Sequence, residues 1–297
     1  MKDNPIGIII ILLIVAVGLT GGIKNSKFIG NSSPTSTSSP QKLSDPEIKA
    51  RIQDAEYKKQ DLERQLAIEN ERKNSSIYKD KILFNWGSSS SDPNFEYIEI
   101  SANYNNTEPI NITGWALTST STNQSVTIPK STSLYFAGQA NSEENVYLKP
   151  GERAYIITGR SPIGYGLRTN KCSGYLSQFN TFYPGLYSQC PSARNEDLSQ
   201  IRRSPSNDNC FDLIDSYPTC RVQTEMLNNS YSSECQNFIK NKMTYPNCIS
   251  VHKNDPDFWG SEWRVYLKRS EVLWKTRRET VILYDNTAKP VGKIYRH

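Results

Sequence analysis

The chain has 297 residues, with 35 Lys and Arg against 30 Asp and Glu and a formal net charge of +5. This length allows one or two modest domains, and a dedicated nucleic-acid binder would usually carry a larger, more clustered basic excess. The only histidines are His252 and His297, which argues against histidine-based catalysis and against a multi-histidine metal site. No nucleotide-binding, zinc-protease or serine-hydrolase motif occurs, so we expect no catalytic residues, no cofactor and no metal.

The N-terminus begins with an apolar, uncharged run at residues 5–23. About 18 such residues is near the lower limit for a helix that crosses a bilayer. No small-residue cleavage site follows, so residues 1–23 are predicted to form a transmembrane anchor, with a cleaved signal peptide as the alternative. Residues 24–43 are a Ser/Thr/Pro linker that should be extended, because it has nothing to bury.

Residues 44–75 carry a helix pattern that opens on the possible capping box Ser44–Glu47. An apolar seam with coiled-coil spacing follows, with Lys59 in one core position, and it consists of Ile48, Ile52, Ala55, Leu62 and Leu66. Such a short seam predicts a coiled-coil-like helix that self-associates, lies against the following domain or acts as a stiff stalk. A solvated single helix supported by Glu/Lys pairs is the alternative.

Alternating apolar residues predict strands from residue 81 onward. The segment KILFNW, residues 81–86, is the first, and residues 95–117 follow as strand, polar turn and strand. The alternation slips by one at Thr113-Gly114, which predicts a β-bulge that turns Trp115 into the core. From residue 263 the strand period returns in three further segments, which are WRVYL, ETVIL and VGKIY.

The order EYIEI, INITGWAL, TIP and LKPGERAYII, spread over residues 96–157, resembles the lamin-tail domain family. That resemblance implies an immunoglobulin-like β-sandwich with a binding or architectural role, here spanning residues 76–297. The family typically closes with a strand, a D-x-x-G turn and a last strand. In this chain Ala288 occupies the glycine position of the turn Asp285–Ala288, so we expect a different turn type.

All six cysteines lie in the polar, loop-rich stretch of about 160–257, which is predicted to be a partly helical insertion in the sandwich. They have no CxxC pair and no closely spaced histidine, so they predict disulfides and not a zinc site. Disulfides persist in oxidising compartments, which predicts an extracytoplasmic C-terminal domain. The six are Cys172, Cys190, Cys210, Cys220, Cys235 and Cys248.

A short internal repeat bears on the pairing. The segment CFDLI at 210–214 corresponds to CQNFI at 235–239, and YPTC at 217–220 corresponds to YPNC at 245–248. Each copy is predicted to be a short helix ended by a proline. Two antiparallel copies would pair Cys220 with Cys235 and Cys210 with Cys248, while pairing within each copy is the alternative; Cys172 would then bond Cys190. Six cysteines allow fifteen connectivities, so the sequence leaves this open.

Two clusters could carry chemistry. His252, Asp255 and Asp257 could hold a hard cation or serve acid–base catalysis, although a capped turn is the favoured interpretation. A late basic-aromatic cluster could bind phosphate, acidic glycans or lipid headgroups, although the solvated face of two strands is favoured. Its members are Arg264, Tyr266, Lys268, Arg269, Trp274, Lys275, Arg277 and Arg278.

Taken together, these features predict a non-enzymatic, membrane-tethered module that binds or scaffolds at the cell envelope or surface. Its ligand would be a protein or a glycan. An envelope hydrolase with a site near His252 is the first alternative, and a binder of nucleic acid or an anionic polymer through the basic cluster is the second.

Overall fold

The computed structural model describes residues 44–187 and 189–297. The chain forms two units, residues 1–60 and 61–297. Four α-helices occur in the described residues: α1 Asp45–Asn74, α2 Asp208–Ser216, α3 Ser233–Lys242 and α4 Tyr245–His252. The strands are β1 Ile82–Ser88, β2 Tyr97–Ala102, β3 Ile110–Asn111, β4 Ala116–Ser119, β5 Ser125–Thr127, β6 Tyr147–Leu148, β7 Arg153–Ile157, β8 Leu167–Asn170, β9 Trp259–Tyr266, β10 Glu279–Tyr284 and β11 Pro290–Arg296.

The strands form three mixed or antiparallel sheets. One has five strands in the order β1-β2-β7-β9-β8, one has four in the order β11-β10-β4-β5, and β3 pairs with β6. Strand β7 pairs in parallel with β9, whereas β1 with β2, β2 with β7 and β8 with β9 are antiparallel. A parallel neighbour requires a long crossover connection, and the cysteine-rich segment supplies it.

One hydrophobic core receives side chains from all three sheets. Ile98 and Ile100 of β2 lie in the same buried cluster as Leu117 of β4 and Leu283 of β10. The alternation of apolar residues that predicted these strands arises because one face of each strand is buried and the other is not. Trp115 is also in this core and is almost fully buried.

The predicted bulge at Thr113-Gly114 is instead a crossing between sheets. Asn111 ends β3, which pairs with β6, and Ala116 begins β4 in the four-stranded sheet. Between them Gly114 has a φ of +84°, and an added Cβ would lie 2.8 Å from Asn286 Oδ1. The apolar alternation slips because the chain changes sheets, and Trp115 enters the core as a result.

The turn between β10 and β11 holds Ala288 in a conformation that glycine adopts more easily, and the expected change of turn type stays a prediction. Ala288 has a φ of +59°, a left-handed conformation that disfavours residues with a Cβ. Asp285 Oδ1 holds the turn by accepting hydrogen bonds from the N–H groups of Thr287 and Lys289, at 2.8 and 3.1 Å.

We expect Ala288→Gly to raise the free energy of unfolding by about 0.5–1 kcal/mol, because glycine adopts this conformation without steric cost. Chemical denaturation of the two proteins measures the difference. The control is Ala140→Gly, at an exposed position without positive φ, which should be neutral or slightly destabilising. A loss of stability in Ala288→Gly would contradict this account of the turn.

Helix α1 begins as predicted. The Ser44 N–H and hydroxyl both donate to Glu47 Oε2, at 2.9 and 2.8 Å, which is half of a capping box. None of its side chains is buried, and Ile48, Ile52 and Leu62 of the apolar seam are 42–52% exposed. Self-association through residues 44–75 stays a prediction. No helix among the described residues has the length and apolar composition to cross a membrane, and the predicted anchor, residues 1–23, lies outside them together with the linker 24–43.

The cysteine-rich stretch differs from a simple insertion. Its first part, β8, joins the five-stranded sheet beside β9, so the part without strands is shorter than the predicted 160–257. The remainder contains α2, α3, α4 and three short 3-10 helices, packed into two further hydrophobic clusters. The helix of the first repeat ends before Pro218, as predicted. Pro246 of the second repeat instead lies in the first turn of α4, where its missing N–H costs nothing.

Three disulfides join all six cysteines: Cys172–Cys248, Cys190–Cys220 and Cys210–Cys235. The predicted framework is confirmed and indicates an oxidising, extracytoplasmic environment. The suggested pairings were wrong. Cys210 and Cys235, which occupy equivalent positions in the two repeats, join α2 to α3. The second cysteine of each repeat bonds to a cysteine outside the repeats, Cys220 to Cys190 and Cys248 to Cys172. A Cβ on Gly174 would lie 2.2 Å from Cys220 Sγ, so this glycine permits the first 3-10 helix to pack on the Cys190–Cys220 bridge.

Candidate functional site: an aromatic cleft

A cleft of about 440 Å³ lies at one end of the five-stranded sheet. The start of β2 and the ends of β7 and β9 meet there, because Tyr97 pairs with Ile157 and Ile157 with Tyr266. The β1–β2 loop, the turn after β7 and the cysteine-rich segment surround it. The residues that line this aromatic cleft are Asp92, Asn94, Phe95, Arg160, Pro162, Thr181, Tyr183 and Tyr266.

Two half-exposed rings form its apolar wall. Phe95 and Tyr183 are each 39% exposed, and their ring centroids are 5.1 Å apart in an edge-to-face arrangement. Tyr183 also packs on Tyr97, with their ring centroids 5.7 Å apart. Tyr97 in turn packs on Tyr155, with a centroid distance of 5.4 Å. The row of rings therefore continues from the cleft onto the outer face of the sheet. Because each ring is fixed by the next, a ligand would meet a surface that needs little ordering.

The polar rim is held by short loop contacts. Asp92 Oδ1 accepts the Asn94 N–H at 2.8 Å, and Asn94 Oδ1 accepts the Arg160 N–H at 3.0 Å. Gly159 makes this approach possible, since an added Cβ would lie 2.7 Å from the Asn94 backbone nitrogen. The contacts fix the backbone around the Arg160 side chain, which is exposed.

Tyr266 lines the cleft with a side chain that is almost fully buried. The residue is 3% exposed, and its hydroxyl makes no hydrogen bond of ordinary geometry within the described residues. Burial raises the pKa of Tyr266 to about 12, although Arg264 and the Ser161 side chain act in the opposite direction. The phenol is therefore protonated at neutral pH.

Arg264 joins the cysteine-rich segment to the sheet beneath the cleft. Its side chain is almost fully buried, its Nη2 donates to the Gly185 carbonyl at 2.9 Å, and it pairs with Glu262 at 3.0 Å. The guanidinium also lies over the Tyr155 ring, 4.1 Å from the centroid. Gly185 is two residues from Tyr183, so this buried cation helps to position the cleft wall.

The predicted basic-aromatic cluster is therefore not one surface. Arg264, Tyr266 and Trp274 are buried, and so is the neighbouring Trp263. Five exposed cations remain, and all lie between β9 and β10: Lys268, Arg269, Lys275, Arg277 and Arg278.

His252 and its acidic neighbours form a separate network. Its Nδ1 lies 2.8 Å from Asp255 Oδ2 and its Nε2 lies 2.9 Å from Glu196 Oε1. Lys171 bonds Asp255 at 2.9 Å and Asp257 at 2.6 Å. Both imidazole nitrogens are thus occupied by carboxylates, and the network ties α4 to the segment after β8. No group of three or more His, Cys, Asp or Glu in the described residues could hold a metal ion.

The network should give a pH-dependent term in stability. Burial lowers the pKa of His252, but the hydrogen bonds to Glu196 and Asp255 outweigh it and raise the pKa above its ordinary value of 6.5. The protonated form is favoured by folding, so the contribution is complete below about pH 6.5 and is lost as the pH rises through the folded-state pKa.

We expect His252→Gln to cost about 1–3 kcal/mol at pH 6 and less at pH 9, because a charged hydrogen-bonded pair is lost. Urea denaturation at both pH values measures this, with His297→Gln as a control at the chain end. An equal cost at both pH values would contradict a charged His252.

The sequence did not reveal the aromatic cleft. Its lining comes from four separate stretches between Asp92 and Tyr266, and no motif joins them. The one indication in the sequence was its high tyrosine content of 17 residues, which suggested an aromatic surface but not its position. The chain matches no protein-family model, no curated protein and no solved structure, so its site is interpreted from geometry alone.

Proposed function

We propose that the chain is a non-enzymatic binding module, held at the cell envelope by its N-terminal segment, which contacts its ligand through the aromatic cleft. The single observation that carries this proposal is the pair of half-exposed rings, Phe95 and Tyr183, beside the exposed Arg160 in one concave site. Mostly apolar concave sites with a few oriented polar groups are the usual form of ligand sites.

The ligand class we propose for the cleft is a saccharide. A sugar ring has an apolar C–H face that suits Phe95 and Tyr183, and hydroxyl edges that suit the polar side chains of Asp92 and Arg160. The volume of about 440 Å³ suits a short oligosaccharide or the end of a glycan. A protein partner would require a contact patch on the order of 800 Å² on this surface.

Three features support the cellular setting. The disulfides favour an oxidising compartment, the apolar run at residues 5–23 suits an anchor, and the exposed helix α1 suits a stalk or a weak coiled coil. Sheets that share one core also support the proposed immunoglobulin-like sandwich of the lamin-tail type. The His252 network supports a structural role more than the hydrolase alternative, because its carboxylates bind the imidazole and Lys171.

The test is isothermal titration of the full-length chain with cellohexaose and chitohexaose. We expect at least one of them to bind, and Tyr183→Ala to weaken its affinity about tenfold, whereas Tyr183→Phe should keep most of it. Tyr104→Ala is the matched control, because Tyr104 is 78% exposed and does not line the cleft.

Disulfide mapping of Tyr183→Ala checks that the segment still folds. If neither sugar binds, or if Tyr183→Ala binds as the parent does, the saccharide proposal fails. Binding of an envelope protein that is lost in Tyr183→Ala would move the ligand class to protein.

A further inference from the structure

The loop between β9 and β10, residues 267–278, concentrates the exposed positive charge. It carries five cations and one carboxylate, Glu271. Lys268 lies 3.4 Å from Glu143, and among the described residues the other four cations have no ion-pair partner. Five cations against one carboxylate give this loop an excess of positive charge that neighbouring acidic side chains leave mostly unpaired.

The loop is nevertheless held firmly by two buried carboxylates. Glu96 is fully buried, and its oxygens accept the N–H groups of Leu273 and Trp274 at 2.8 and 3.3 Å. Glu279 is almost fully buried and accepts the Lys275 N–H at 3.0 Å. Three consecutive backbone donors of the loop are thus satisfied by carboxyl groups inside the protein.

Both ends of the loop are fixed as well. The N–H groups of Lys268 and Arg269 donate to the carbonyls of Gly159 and Thr158, each at 2.9 Å. At the other end the Ser121 hydroxyl donates to the Arg278 carbonyl at 3.0 Å. An ordered loop presents its cations with a small entropy cost on binding.

Lys and Arg occupy two positions that glycine would fill at lower cost. Lys268 has a φ of +59° and Arg278 a φ of +51°, both in the left-handed region. A non-glycine residue is sterically strained in this conformation, and such strain often accompanies a function that the side chain performs.

From these observations we infer that the β9–β10 loop is a docking surface for an anionic polysaccharide, recognised by its regularly repeated carboxylate, sulfate or phosphate groups. The disulfides place the domain away from cytoplasmic nucleic acid. Within the loop Val272 is the one exposed large apolar side chain among the described residues, which is little for insertion into a lipid surface.

The experiment separates charge from backbone strain. The full-length chain is applied to heparin, a sulfated polysaccharide, and eluted with a salt gradient. We expect retention, and we expect K268G/R278G to elute earlier, with the slope of log affinity against log salt reduced by about two. The same variant should melt at an equal or higher temperature, because glycine removes the backbone strain.

Two controls match this variant. Ala288→Gly removes the same backbone strain without a charge, and K49A/R51A removes two exposed cations from α1. Both should elute with the parent protein.

Elution of K268G/R278G together with the parent, or a failure of the parent to be retained at low salt, would overturn the inference. So would tighter binding to vesicles rich in phosphatidylglycerol or to single-stranded DNA than to heparin. Since Tyr183→Ala leaves the loop cations in place, its elution from heparin should match that of the parent.

Discussion

Replacing Cys172 and Cys248 together with alanine should lower the free energy of unfolding by about 4 kcal/mol. This bridge joins residues 76 positions apart, whereas the other two join residues 30 and 25 apart. A disulfide stabilises mainly by restricting the unfolded chain, and the restriction grows with the loop that it closes. It also connects the end of β8 to α4 within one buried cluster, so its loss should loosen that cluster.

Guanidinium denaturation of the double variants measures the effect, with C210A/C235A as the matched comparison at about 3.5 kcal/mol. Alanine is used because all four cysteines are buried. Thiol titration of the parent should give zero free thiols before reduction and six after it. A smaller loss for C172A/C248A than for C210A/C235A would contradict the loop-length argument.

The connectivity of these disulfides could not be predicted from the sequence, because it depends on how the two repeats pack. The internal repeat suggested that its two copies pack as a self-contained antiparallel unit. Instead the two copies are joined only between their helices, at Cys210 and Cys235. The second cysteine of each copy lies after the proline that follows its helix, where the chain turns away from the helix pair. Cys220 and Cys248 then meet cysteines near β8, and that meeting depends on tertiary packing.

The strands were more predictable, because burial of one face imposes a period of two that the residues display directly. Ile98 and Ile100, or Val281 and Leu283, mark buried faces. Strand β8 was missed because LRTN has no such alternation: Leu167, Thr169 and Asn170 are all buried beside β9. The parallel pairing of β7 with β9 was missed because it depends on the crossover between them.

The candidate sites divide in the same way. The sequence identified His252 with its acidic neighbours and the late basic cluster, since in both the residues are close along the chain. It did not predict that Glu196 binds His252, or that the side chain of Arg264 is buried and so is not part of the basic surface. Burial of Arg264 depends on Tyr155 and Gly185, which are distant in sequence.

Glu96→Ala should cost about 3 kcal/mol at pH 7, since it leaves the N–H groups of Leu273 and Trp274 buried without an acceptor. Burial raises the pKa of Glu96 above its ordinary value of 4.5, although hydrogen bonds from Leu273 and Trp274 act against it. Folding therefore favours the protonated acid, so its contribution is largest below about pH 4.5 and declines as the pH rises through the folded-state pKa. The cost of Glu96→Ala should accordingly be greater at pH 5 than at pH 7.

Glu99→Ala is the matched control, three residues further along the chain in β2. Its carboxylate pairs with Arg153 at 3.4 Å on the outer face of the sheet, where such a pair contributes less than about 1 kcal/mol. Urea denaturation at both pH values, with hydrogen exchange at the amides of Leu273 and Trp274, measures the two variants. Faster exchange should be confined to Glu96→Ala, since that residue alone of the two binds the β9–β10 loop. Equal costs for the variants would mean that the loop is ordered by its buried Leu273 and Trp274 side chains and not by Glu96. A cost that grows with pH would instead mean that folding favours the ionised carboxylate, and would contradict the raised pKa.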